Sequence, residues 1–132
     1  MRMFRIPGRP ILAMAGVVAL MAAAPPRDAF WHTHLLKSDP AANDSLAKAP
    51  RAIHLWFSER VDLPVTTVKL TNAAGAPVIL APPMRPDTAQ NASVNITIGP
   101  VLAAGSYTVH WSTAGKDGHP AKGTFDFVVK AH

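Results

Sequence analysis

Ala52-Ile53-His54-Leu55-Trp56-Phe57 places Ile53, Leu55 and Phe57 on one face of an extended chain and His54 and Trp56 on the other. Such period-two alternation sets one face in a core and the other toward water, as antiparallel sheets require. The same period returns in Thr67-Val68-Lys69-Leu70-Thr71, Val94-Asn95-Ile96-Thr97-Ile98 and Tyr107-Thr108-Val109-His110-Trp111, and more loosely in Phe125-Asp126-Phe127-Val128-Val129. Leu35 and Leu36 open a further strand, and residues 40–45 make a turn before Leu46. Turn formers separate these runs: Asn72-Ala73-Ala74-Gly75, Pro82-Pro83 to Asp87, Gly99-Pro100, Ala104-Gly105 and Asp117-Gly118-His119-Pro120. With 13 prolines and 8 glycines in 132 residues, no continuous helix is expected after the N-terminal segment. About seven short strands imply an all-β domain, a two-sheet sandwich or Greek-key barrel.

Working outward to the N-terminus, Arg2, Arg5 and Arg9 precede an apolar run, Ile11 to Ala24. As a helix that run would cover only ~21 Å, short of a ~30 Å hydrocarbon core. A basic stretch followed by a short apolar run ending in small residues reads as a secretory signal over residues 1–24. Residues 25–31 then form a polar connector, and 32–132 the folded domain. Removing the signal takes three arginines and no acid from the formal charge of +5, leaving +2. The remaining basic residues are scattered along the sequence, so no nucleic-acid-binding stripe is expected. The chain has no cysteine. An exported domain of this kind rests on packing rather than disulfides, and thiolate zinc sites and iron–sulfur clusters are excluded.

Candidate metal ligands are therefore nitrogens and carboxylates. His32 and His34 flank Thr33, and alternation on a strand edge would point both rings the same way. Asp117-Gly118-His119 lies in a glycine-containing loop, where two side chains of one extended segment can converge on an ion. Imidazoles with a carboxylate favour Cu(II), with Zn(II) and Ni(II) as competitors. Asp-Gly is also an ordinary turn dipeptide, and that reading stands beside the metal one. Trp111 shares a face with Tyr107 and Val109 and belongs to the core. Trp56 either covers an edge or sits beside the N-terminal segment. His54, His110 and the terminal His132 read as solvated.

Three stretches carry a family resemblance. They are His32-Thr33-His34-Leu35 with Lys37-Ser38-Asp39-Pro40-Ala41; His54-Leu55-Trp56-Phe57-Ser58-Glu59; and Leu102 to Trp111 running into Asp117-Gly118-His119-Pro120 and Gly123-Thr124-Phe125. In this order and at these separations the chain resembles the CopC family of periplasmic copper-binding proteins. The resemblance implies an immunoglobulin-like, cupredoxin-like Greek-key sandwich that binds one Cu(II) per chain. Its ligands would be His32, Asp117 and His119, with Glu59 behind them to orient a ligand. It further implies a monomer that buffers copper or delivers it to an inner-membrane transporter of CopD type, and no enzymatic activity. The family's first ligand also offers the free α-amine of the mature N-terminus. Here Trp31 fits poorly at the last position before a signal-peptidase cut, and cleavage near residues 22–24 fits better, which would leave His32 without that amine. His34 could then contribute. Only Met84 remains after the signal, too little sulfur for a methionine-rich Cu(I) site.

Two other functions stay open from the sequence. An amine-and-imidazole brace on a sandwich also resembles the copper monooxygenases that cleave polysaccharides, although no flat aromatic surface, paired carboxylates or nucleophile–base arrangement is visible. A metal-free adhesion or assembly module is equally compatible with a sandwich.

Overall fold

The computed structural model describes residues 32–86 and 92–132, so the expected signal and connector lie outside the described residues. Eight strands stand among those residues: β1 Leu35–Asp39, β2 Asp44–Leu46, β3 Ala52–Phe57, β4 Thr67–Asn72, β5 Pro77–Val78, β6 Ser93–Thr97, β7 Gly105–Ala114 and β8 Pro120–Val129. One sheet has the order β1-β3-β6 and the other β2-β8-β7-β4-β5. Most connections carry the chain from one sheet to the other, while β4–β5 and β7–β8 stay within the larger sheet, the course of a Greek-key sandwich. The only helical element among the described residues is a 3-10 turn at Leu63–Val65.

The alternating runs supply the core. Ile53, Leu55, Phe57, Val94 and Ile96 come from the smaller sheet, and Leu70, Tyr107, Val109, Trp111, Phe125, Phe127 and Val129 from the larger, all buried. Phe57 meets Trp111 edge to face at 5.3 Å between ring centres, so the two sheets interlock through an aromatic pair. Gly123 stands opposite Trp111 in the β7–β8 register. A Cβ there would come within 2.7 Å of the indole, so the missing side chain makes room for the ring. The Tyr107 hydroxyl donates to the Ala103 carbonyl at 2.7 Å, closing the connection into β7 in the manner of immunoglobulin-like sandwiches.

Eight strands stand where about seven were expected, the addition being short edge pieces. Asp44–Leu46 begins inside a segment read as a turn and runs parallel to β8, and Pro77–Val78 adds a two-residue edge to β4. Elements this short carry no period to read; their pairing partners alone define them.

Candidate metal centre

The first step toward a site is the register of β1 on β3. Leu35 lies opposite Phe57, and the pairing continues past the strand ends. The His34 N–H donates to Ser58 Oγ at 3.0 Å, and the Ser58 N–H donates to the His34 carbonyl at 2.9 Å. One residue further out, the Thr33 hydroxyl donates to the Glu59 carboxyl group. The following segment is then sewn to the end of β7. The Asp62 N–H donates to the Ala114 carbonyl at 2.9 Å, and the buried Thr66 and Thr113 hydroxyls lie 2.7 Å apart. His32 to His34 and the loop after β7 are thereby held at one end of the sandwich.

That loop, residues 115–119, joins β7 to β8. Its conformation begins at Gly115, which is buried against Glu59 and Thr33; a Cβ there would collide with both side-chain oxygens. The Gly118 N–H closes a turn onto the Gly115 carbonyl at 3.0 Å, and Gly118 adopts φ +77°, where a side chain would be strained. Asp117 Oδ1 accepts the His119 backbone N–H at 3.1 Å, and Oδ2 stands 2.6 Å from Nδ1 of the same ring. The carboxylate therefore holds residue 119 at its backbone and at its ring, and leaves Nε2 as the open ring nitrogen.

The His32 ring lies edge-on to His119, with centroids 5.8 Å apart and planes at 90°. Copper–nitrogen bonds are about 2 Å, so two imidazoles sharing an ion place their centroids roughly 4.5 to 6.3 Å apart. The observed spacing falls in that range. Among the described residues, no three His, Asp or Glu side chains are gathered tightly enough to hold a metal as they stand. Both histidines are exposed, and bringing their nitrogens to one point would take rotation about their side-chain torsions. His34 stands apart from the pair: its Nδ1 lies 3.0 Å from the His32 carbonyl, and no ring contact joins it to His119.

The hydrogen bond from the His119 ring holds the Asp117 carboxyl below its usual range, with the backbone N–H of His119 assisting. The same bond, followed by the carboxylate's charge, raises the His119 imidazole above its ordinary value. The charged pair consequently exists only above the titration of Asp117 and below that of His119. Any stability it lends is lost as pH rises through the raised imidazole value or falls through the lowered carboxyl value. Because both groups are exposed, water and salt screen that contribution. An NMR pH titration of the copper-free protein should show the His119 ring changing charge above the ordinary histidine range of about 6.5, and Asp117→Asn should bring the midpoint down. An unchanged midpoint in the variant would remove Asp117 as the cause.

The family profile described as the CopC domain matches residues 35–130. The chain belongs to the CopC family. The Escherichia coli K12 protein YobA is 35% identical to this CopC chain over 99 residues, 75% of this chain and 79% of YobA. Copper resistance protein C of Xanthomonas campestris pv. juglandis is 32% identical over 119 residues, 86% of this chain and 92% of that protein. The crystal structure of CopC from Methylosinus trichosporium OB3b superposes with a TM-score of 0.70 at 26% identity, covering 76% of this chain and 96% of that one.

Glu59, Asp117 and His119 lie within the stretch matched to the CopC domain, and His32 and His34 stand just ahead of it. Two side chains read as solvated or left open belong together on the outer face of the smaller sheet. His54 is half-buried and stacks on Trp56 at 5.7 Å, and Lys37 Nζ lies 4.8 Å from the Trp56 ring centre. Solvation was the wrong expectation for His54, because an aromatic neighbour two residues along a strand shields one ring face. Trp56 resolves as an outer-face cover, while Trp111 is in the core and His110 is exposed. A feature that sequence reading missed is Gly115, whose role depends on two side chains distant in the chain.

Proposed function

We propose that this CopC protein binds one Cu(II) per chain in the periplasm through His32, Asp117 and His119, and that it buffers the ion or hands it to a membrane transporter of CopD type. The observation that carries the reading is the approach of the His32 ring to a His119 ring already oriented by Asp117, at a spacing two copper-bound imidazoles can share. A nitrogen-and-carboxylate set without sulfur suits the cupric ion. Glu59 anchors Thr33, beside His32, and so positions the early ligand.

Exposure favours carriage over catalysis. The His119 and Asp117 side chains are 67% and 47% exposed, so an acceptor's ligands can reach the ion directly. The copper site, not the sandwich, separates this reading from a metal-free assembly module.

Titrating the exported protein with Cu(II) should saturate at about one ion per chain and give an electron paramagnetic resonance spectrum with nitrogen hyperfine structure. A saturated sample whose spectrum shows only oxygen donors would overturn the proposal.

A further inference from the structure

Beside the histidine pair lies an open cleft of about 740 Å³, lined in part by Arg60, Asp62, Leu63, Val65, Arg85 and Lys116. In the sequence its basic residues are far apart and look scattered; the fold brings three of them to one recess. Asp62 is the only carboxylate among the described lining residues. Arg85 is anchored there, its Nη2 donating to the Val61 carbonyl at 2.5 Å. Burial disfavours the Arg85 charge and repulsion from Arg60 adds to that cost, while the Asp62 carboxylate offsets part of it. No carboxylate among the described residues forms an ion pair with Arg60 or Lys116. Part of the wall is apolar, with Val65 50% exposed and Leu63 half-buried. The cleft and the histidine pair share one loop: Lys116 precedes Asp117, and Gly118, which stands between Asp117 and His119, lines the cleft.

We propose that this cleft is the docking surface for an acidic polypeptide segment of the protein that exchanges copper with the His32/His119 site. The identity of the partner as a copper acceptor rests on the function proposed above; the surface itself does not need copper. Charge complementarity selects an anionic occupant, because like charges already crowded together are relieved by carboxylates. The mixed lining selects a polypeptide over a small anion, since exposed Val65 and Leu63 offer apolar contacts that a lone phosphate or carboxylate would leave unused. An anionic membrane is the poorer fit. Surface binding to lipid usually takes a cluster of four to eight basic residues on a protruding face, and here three line a recess.

Fluorescence anisotropy tests this with a labelled twelve-residue peptide of alternating glutamate and leucine, set against the same peptide with glutamine for glutamate. Copper-free and copper-loaded full-length protein are both titrated. The acidic peptide should bind at least about tenfold more tightly than the glutamine one, and high salt should weaken it. Arg60→Glu/Lys116→Glu should lower its affinity at least about tenfold, whereas Lys48→Glu/Lys130→Glu, an equal charge change elsewhere, should alter it less than about twofold. Circular dichroism of both variants confirms the fold. Equal losses in the two variants, or no preference for the acidic peptide, would overturn the docking surface. So would tighter binding to phosphatidylglycerol vesicles or competition by inorganic phosphate at matched charge. Peptide binding without copper binding would leave the cleft standing and remove its partner's role in copper exchange.

Discussion

His119→Ala is expected to lower Cu(II) affinity at least about a hundredfold and to leave the sandwich folded. The ring contributes nothing to the core: two thirds of its side-chain surface is exposed, and its contacts are Asp117 and the His32 ring. What the substitution removes is the imidazole that Asp117 orients through Nδ1. His34 is poorly placed to replace it, because its Nδ1 faces the His32 carbonyl. Asp117→Asn should weaken binding less, by about ten- to a hundredfold, because an amide oxygen can still accept from Nδ1 while the negative charge is lost. Competition against a chelator of known copper affinity reads both losses, and thermal unfolding followed by circular dichroism reads the fold. Wild-type affinity in His119→Ala would place the copper elsewhere on the protein.

Gly115→Ala is the second large effect, about 2–3 kcal/mol of stability together with about tenfold weaker copper binding. A methyl group at this buried position would occupy the space of the Glu59 and Thr33 oxygens. Either their hydrogen bond opens, leaving a half-buried carboxyl group without its hydroxyl donor, or the loop backs away and carries Asp117 and His119 from His32. Gly118→Ala is the internal comparison. Its Cβ would meet open space, so only the cost of a positive φ applies, about 1 kcal/mol. Urea unfolding and copper titration of the pair should therefore separate crowding from backbone strain. Equal stability losses in the two variants would show that close packing at Gly115 does not hold the loop.

The histidine approach and the cationic cleft have a common origin in the fold. The β7–β8 loop sits between them, and the segment from Glu59 to Asp62 supports it from beneath through Thr33 and Ala114. A single end of the sandwich thus offers nitrogen donors on one side of the loop and positive charge on the other. Val61, buried at this end, organises the cleft: its carbonyl accepts from Arg85, and its chain neighbours are Arg60 and Asp62.

Much of this architecture was legible in the amino-acid order alone. Alternation in 52–57, 94–98 and 107–111 specified which side chains are buried, because a strand has only two faces and water selects between them. The lack of cysteine fixed the donor chemistry, and three ordered motifs identified the family. Short edge strands, the stacking of His54 on Trp56 and the meeting of Arg60, Arg85 and Lys116 were not legible. Each depends on residues that share no local period and become neighbours only when two sheets pack. The separation of His32 from His119 and the fit of Gly115 against Glu59 are of the same kind. Composition sets which ions and charges a chain can hold; hydrogen-bond register and close packing between distant segments decide whether they stand within reach of one another.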